Sequence, residues 1–83
     1  MKVEVKSMYK YQIRLDTKTD IKDVVETAEK LPFDIFIENE NGTKRGNAKT
    51  LLNVVDAITY DKVYIISEHD IYTPFRGLIM DEP

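Results

Sequence analysis

The segment VVETAEKLPFDI, Val24–Ile35, carries the end of an amphipathic helix and the start of a strand, and it decides the expected fold. Apolar residues in and before it recur at i, i+3, i+4, i+7 and i+10, the spacing of one helical stripe: Ile21, Val24, Val25, Ala28 and Leu31. Pro32 ends this helix because its ring disfavours the helical conformation of the preceding residue. Beyond the proline every second residue is apolar, which predicts a strand: Phe33, Ile35 and Ile37.

A polar segment precedes this helix, and we expect Thr19 or Asp20 to act as its N-cap. Asp20 and Asp23 in the first turn, with Lys30 in the last, match the polarity of the helix dipole. Further upstream, apolar residues alternate with polar ones over Tyr9–Leu15. That alternation predicts a half-buried strand.

Downstream of the second strand, Asn41-Gly42 predicts a two-residue hairpin turn in which both residues have positive φ. The returning strand, Thr43 to Asn47, is polar and contains a glycine, so we expect it to be short and at the sheet edge. A second apolar stripe predicts another helix that packs on the core: Leu51, Val54, Val55 and Ile58.

The last predicted strand runs from Lys62 to Glu68. Thr73-Pro74 then starts a short helix, anchored by Phe75, Leu78 and Ile79. The expected order is therefore β-α-β-β-α-β with a C-terminal helix. Two such helices can cover only one face of a small sheet, which indicates an α+β fold, a two-layer open-faced sandwich. At 83 residues the chain forms one domain, residues 1–83.

Composition excludes several classes of function. The chain has no cysteine, so disulfides and thiolate metal sites are absent, and a net charge of −3 argues against nucleic acid. Basic residues are concentrated near the start, where we interpret them as a solvated strand face: Lys2, Lys6, Lys10 and Arg14. No apolar run is long enough to span a membrane and no signal peptide is recognisable, so we expect a cytoplasmic protein.

No arrangement of catalytic residues is evident, and we expect neither an enzyme nor a cofactor. His69, the single histidine, follows a strand between Glu68 and Asp70, and adjacent strand residues point to opposite faces. A solvated turn histidine is the better interpretation, and no metal site is expected. Glu38 and Glu40 share one strand face and are interpreted as a solubilising edge.

Two apolar features bear on contact with a partner. Leu52 lies off the helical stripe and should face solvent. Three more apolar residues fall on the sheet face opposite the core, where helices on one side only would leave them exposed: Phe36, Tyr64 and Ile66. Pairing across strands is the better interpretation of these three, and a partner-binding patch is the alternative.

The blocks VETAEK, Val25–Lys30, and NAKTLLNV, Asn47–Val54, resemble the end of the first helix and the start of the second in HPr. HPr is the histidine-containing phosphocarrier of the bacterial sugar phosphotransferase system. The resemblance covers roughly the central half of the chain. It is most similar to clostridial HPr-like proteins in which a helix start of the Ile-Lys-Asp-Val type, here Ile21–Val24, replaces the active-site motif.

The resemblance places Thr17 at the family's phosphorylated histidine, Thr19 at the assisting arginine and Asp20 at the following proline. A threonine hydroxyl cannot form the labile phosphoramidate on which reversible phosphoryl relay depends, and Asp20 would repel phosphate. The resemblance therefore implies an HPr-like scaffold without the family's chemistry.

Thr50 matches the serine that HPr kinase phosphorylates in Gram-positive bacteria, a modification that turns HPr into a corepressor. A phosphate at the start of a helix would meet backbone N–H groups and the positive end of the dipole; the alternative is a simple capping residue. The family's partner surface includes exposed aliphatics that match Leu51, Leu52 and Val55. The apolar stripe instead places Leu51 and Val55 in the core, so the two interpretations conflict.

Three hypotheses follow. The first is an HPr-like regulatory or adaptor protein that is a monomer or weak dimer. It would bind a kinase or a transcriptional regulator through the starts of its two helices, including Thr17 and Thr19, and phosphorylation of Thr50 would switch this binding. The second is an ACT-like domain, which shares the order β-α-β-β-α-β and would bind a small molecule in a dimer formed through the sheet. The third is an atypical phosphocarrier. None involves nucleic acid or a membrane.

Overall fold

The computed structural model describes residues 8–80, so Lys2 and Lys6 lie outside the described residues. Four strands are present there: β1 Tyr9–Ile13, β2 Phe36–Glu38, β3 Arg45–Asn47 and β4 Val63–Ser67. The helices are α1 Lys18–Glu29, α2 Leu51–Asp56 and α3 Tyr72–Phe75, and a 3-10 turn, Ala57–Thr59, continues α2.

The strands form one antiparallel sheet in the order β1-β4-β2-β3. β3 is three residues long and lies at the edge of the sheet, as its polar sequence predicts. On the opposite edge the chain returns after α3, where Ile79 forms a bridge with Ile13 and the Met80 N–H donates to the Gln12 carbonyl at 2.9 Å. The predicted α+β class is confirmed.

The core lies between one face of the sheet and the helices. Cross-strand neighbours supply the sheet side: Ile13 beside Val63, and Ile37 beside Ile65. The helices and the segments around them supply the other side: Ile21, Val24, Ala28, Ala48, Val54, Ala57, Ile71, Phe75 and Leu78. Burial along β1 is uneven, since Tyr9 is exposed whereas Ile13 is buried.

The opposite face of the sheet is more closely filled than the sequence predicts. Ile66 lies between Lys10 and Phe36 in neighbouring strands and is only 3% exposed, while Tyr64 and Phe36 are half-buried. The expectation that all three are exposed is therefore wrong for Ile66. Direct pairing of Phe36 with Ile66 confirms the cross-strand alternative.

Glu38 is buried and does not form a solubilising edge with Glu40, because β2 is an interior strand. Its carboxylate accepts from Arg45 Nε at 2.6 Å, and Lys10 Nζ lies 3.8 Å away. The same cations cover the aromatic rings beside them: Arg45 lies over Phe36 and Lys10 over Tyr64. Charges of both signs thus fill the centre of this face.

The hairpin between β2 and β3 is longer than the predicted two-residue turn. Among the described residues only Gly42 has a positive φ, at 74°, so Asn41 does not take the conformation that a two-residue turn needs. The loop closes where Asn39 N–H donates to the Lys44 carbonyl at 3.1 Å. Side-chain bonds among Asn39, Asn41 and Thr43 stabilise this longer loop.

Candidate partner-binding surface

The start of α1 is built by Thr17, and the prediction of Thr19 or Asp20 as the N-cap is wrong. The Thr17 hydroxyl accepts from the Asp20 N–H at 3.1 Å, and the Asp20 carboxylate accepts from the Thr17 N–H at 3.2 Å. This reciprocal pair is a capping box that satisfies two N–H groups at once. Asp20 stands at the third helical position, so it completes the cap from inside the helix.

Asp20 is buried, and its carboxylate also accepts from the Asp16 N–H at 2.9 Å and lies 3.5 Å from the Arg14 guanidinium. The hydrogen bond from Asp16, together with those from Arg14 and Thr17, lowers the pKa of Asp20 although burial opposes the shift. Asp20, which the resemblance to HPr places at the family's proline, therefore anchors this loop. The hydroxyl of Thr17, which the resemblance places at the histidine, accepts the capping hydrogen bond of α1.

Thr50 is the N-cap residue of α2, and its side chain is exposed. Its backbone carbonyl accepts the first helical hydrogen bonds, from Asn53 and Val54 at 3.1 and 3.2 Å. Within residues 8–80 its hydroxyl makes no capping hydrogen bond. Thr50 thus occupies the capping position without using its hydroxyl as a cap.

The starts of α1 and α2 lie apart on the molecule. Lys49 Nζ, next to Thr50, donates to the Leu31 carbonyl at 2.9 Å, which places the start of α2 beside the end of α1. Thr17 caps the other end of α1, a twelve-residue helix with a rise of about 18 Å. Thr17 and Thr19 therefore lie at the opposite end of α1 from Thr50.

The apolar stripe predicted for α2 is wrong in its rotation about the helix axis. Val54 and Ala57 face the core and are fully buried, whereas Leu51, Val55 and Ile58 are 54%, 44% and 42% exposed. At 100° per residue the midpoint between Val54 and Ala57 lies about 90° from Leu51 and about 130° from Val55, so both are turned away from the core. Val54 of α2 and Ala57 of the 3-10 turn that continues it thus form the core side, and the larger aliphatics are exposed.

Leu52 is 78% exposed, which confirms its predicted position. The conflict over Leu51 and Val55 is resolved in favour of the surface position that the resemblance to HPr implies. Three aliphatic side chains on one short helix therefore face solvent together.

Leu51 and Val55 also line one side of a groove whose other side is α1. We call it the helical groove; Ile21 and Val25 contribute its apolar α1 side, and its volume is about 500 Å³. Four charged residues of α1 line the groove as well: Lys18, Lys22, Glu26 and Glu29. Val25, which the sequence places in the apolar stripe of α1, is partly buried against the core and also lines the groove.

The remaining candidates offer little chemistry. His69 is exposed and stacks on Phe33 with ring centroids 4.2 Å apart. No group of three or more acidic or histidine side chains in residues 8–80 is placed to hold a metal ion. In the same range no helix is long and apolar enough to cross a membrane.

Comparisons of this chain with known protein families, with curated proteins and with solved structures found no match.

Proposed function

We propose that this chain is a non-catalytic, HPr-like adaptor of the sugar phosphotransferase type that binds a protein partner through α2 and the helical groove. The observation that carries the proposal is the joint exposure of Leu51, Leu52 and Val55, the residues that the resemblance matches to the family's partner surface. A contiguous apolar patch at the surface is characteristic of a binding site. Full burial of one such side chain stabilises a complex by about 1.5 to 3 kcal/mol.

The arrangement at the start of α1 supports a non-catalytic role. Phosphoryl transfer needs a nucleophile that is available to the donor, whereas the Thr17 hydroxyl accepts a hydrogen bond from Asp20 N–H. The carboxylate of Asp20 beside it would repel an incoming phosphate. An atypical phosphocarrier acting through Thr17 is accordingly the weaker proposal.

Phosphorylation of Thr50 would give this adaptor a switch. The hydroxyl is exposed and precedes Leu51 and Leu52 directly, so a phosphate there would add a charge of about −1.5 to −2 beside the apolar patch. A partner with a basic residue at this position would then bind more tightly, and a purely apolar partner more weakly. The test is the intact mass after incubation with ATP and an HPr kinase, with Thr50→Ala as the control.

Binding is tested by capture from an extract of the cells that make the protein, followed by quantitative mass spectrometry. The wild-type chain is compared with Leu52→Asp, and Thr73→Asp is the matched control because it adds the same charge at an exposed position on α3. We expect a partner that the wild type and Thr73→Asp retain and that Leu52→Asp loses. Equal retention by all three chains would remove α2 from the proposed interface.

The ACT-like alternative is less well supported because it requires the sheet to form a dimer interface. The centre of that face holds the charged residues Lys10, Glu38 and Arg45, which are already paired with one another. A dimer formed through this face would bury these charged side chains further, and removing the water that still solvates them would cost free energy.

A further inference from the structure

The charges beside the helical groove change sign along α1. Lys18 and Lys22 lie at the end where α1 starts, and Glu26 and Glu29 lie at the end where it finishes. Lys22 and Glu26 approach each other to 3.9 Å but are 71% and 53% exposed, so both remain accessible to a partner. Between Lys18 and Glu29 the groove therefore runs from a positive to a negative end.

This order of charges opposes the dipole of α1 itself. A helix is stabilised by acidic residues in its first turn and basic residues in its last, yet Lys18 begins α1 and Glu29 is its last residue. Asp20 and Lys30, at the third helical position and the C-cap, run in the favourable sense, but neither lines the groove. The charges that line the groove thus have an order along α1 that the dipole of this helix disfavours.

We propose that the element occupying the helical groove is an amphipathic helix of the partner, acidic over Lys18 and Lys22 and basic over Glu26 and Glu29. This inference rests on the proposed adaptor function and names the part of the partner that binds. The length of α1 between Lys18 and Glu29 corresponds to about 16 Å, or three helical turns. Three apolar anchors spaced i, i+4 and i+7 fit within it and would contact Ile21, Val25 and Val55.

A helix fits this groove better than an extended peptide does. Both walls of the groove are helices, whose backbone groups are bonded internally, so an extended segment would find no N–H or C=O partners there. Burying its unpaired backbone against apolar side chains would cost free energy at each peptide group. A helix satisfies its own backbone and presents only side chains. A single acyl chain has one charged end and would leave the other end of the groove without a complement.

The test uses a side-chain-stapled peptide of about 14 residues with three leucine anchors, two glutamates in one half, two lysines in the other and a nitroxide at the acidic end. Paramagnetic broadening is measured on the amide resonances of the isotope-labelled full chain. We expect the strongest broadening near Lys18 and Lys22 and the weakest near Glu29. Absence of any peptide-induced shift, or equal broadening at both ends, would overturn the inference.

The matched variant exchanges the four charges: Lys18→Glu, Lys22→Glu, Glu26→Lys and Glu29→Lys. It places acidic residues early and basic residues late in α1, the order that the helix dipole favours, so the variant should fold and melt at a higher temperature. In it we expect the broadening to move to residues 26 to 29. Broadening that stays at residue 18 would show that the charges do not orient the peptide.

The capture and peptide experiments distinguish a failure of this inference from a failure of the proposed function. If Leu52→Asp abolishes capture of a partner while the peptide does not orient, the adaptor function stands and the helical partner is wrong. If capture does not depend on Leu52, the proposed function itself fails, whatever the peptide does.

Discussion

The Asp20 carboxylate holds together the loop before α1, because it accepts hydrogen bonds from two backbone N–H groups and lies beside Arg14. Its pKa in the folded chain is lowered, chiefly by the Asp16 N–H. A carboxyl with a lowered pKa stabilises the fold fully above the pKa it has in the unfolded chain, about 4, and this contribution is lost as the pH falls through the folded value.

Replacing Asp20 by Asn should therefore lower the free energy of unfolding at neutral pH by about 1.5 to 3 kcal/mol, the range for hydrogen bonds to a charged group. The difference from the wild type should shrink as the pH falls from about 4, where the carboxyl of the unfolded chain becomes protonated, and should be lost below the lower pKa of the folded chain. Urea unfolding at a series of pH values measures this. A difference of the same size at pH 7 and in acid would contradict the assigned role of the carboxylate.

Single residues also account for what the sequence could and could not predict about the start of α1. Its capping composition was recognisable, but Thr17, Thr19 and Asp20 are all acceptable N-caps, and the choice depends on which hydroxyl reaches which N–H. Arg14, in the loop before the helix, adds a contact to Asp20 across six residues. The spacing of apolar residues along the sequence does not predict a contact of that kind.

At the scale of the elements, the rotation of α2 is tested by comparing one inward and one outward side chain. Val54→Ala should cost about 1 to 3 kcal/mol because it removes fully buried methyl groups. Leu52→Ala should change stability by less than about 0.5 kcal/mol, since that side chain is largely in solvent. Chemical denaturation of both variants gives the comparison. A larger cost at Leu52 than at Val54 would mean that the core side of α2 is misassigned.

The contact between β3 and α2 depends on Gly46. A Cβ added there would lie 2.8 Å from Asn53 Cβ, too close for either atom to keep its place. Gly46→Ala should thus destabilise the fold by about 1 to 3 kcal/mol, which lowers the melting temperature by at least about 4 °C in a domain of this size.

Gly77→Ala is the control for that substitution, because nothing lies within 4 Å of an added Cβ and the residue has no positive φ. It should be neutral or slightly stabilising, through the lower conformational entropy of the unfolded chain. Calorimetry of the two variants measures both effects. Equal melting temperatures would rule out a close β3–α2 contact.

The elements show why strand and helix types were predictable while the core side of α2 was not. Alternation and helical spacing placed the four strands and the first two helices near their observed positions. In α2 the large residues Leu51 and Val55 were taken as the core side, whereas the contact is made by Val54 and the small Ala57. The volume available at a packed contact depends on the tertiary structure, so the spacing of apolar residues in the sequence does not predict it.

At the scale of the whole molecule, the filled sheet face predicts that the protein does not dimerise through its sheet. Ile66 is buried within that face and Glu38 is paired there, so little apolar surface is left on it for a second copy. Sedimentation velocity should give the mass of one chain, 9.7 kDa, at the highest concentration that can be reached. A dimer that Tyr64→Lys or Phe36→Lys dissociates would favour the ACT-like alternative.

The candidate partner-binding surface is also a feature of the whole molecule, because α2 forms it together with α1, a helix from earlier in the chain. Leu52 could be assigned to the surface from its position off the stripe, and the resemblance to HPr placed Leu51 and Val55 beside it. The helical groove could not be predicted from the sequence because it depends on the antiparallel arrangement of α1 and α2. That arrangement follows from contacts such as that of Lys49 with Leu31. Those contacts also separated Thr17 from Thr50.

The most direct test of the account is photo-crosslinking in the cells that make the protein, with a photoreactive phenylalanine analogue at position 52 and, as the control, at position 73 on α3. We predict that position 52 yields a discrete adduct with a second protein and that position 73 does not, because α2 lies in the proposed interface and α3 does not. Adducts at position 73 but not at 52, or none at either position, would contradict the claim that this chain is an adaptor that binds its partner through α2.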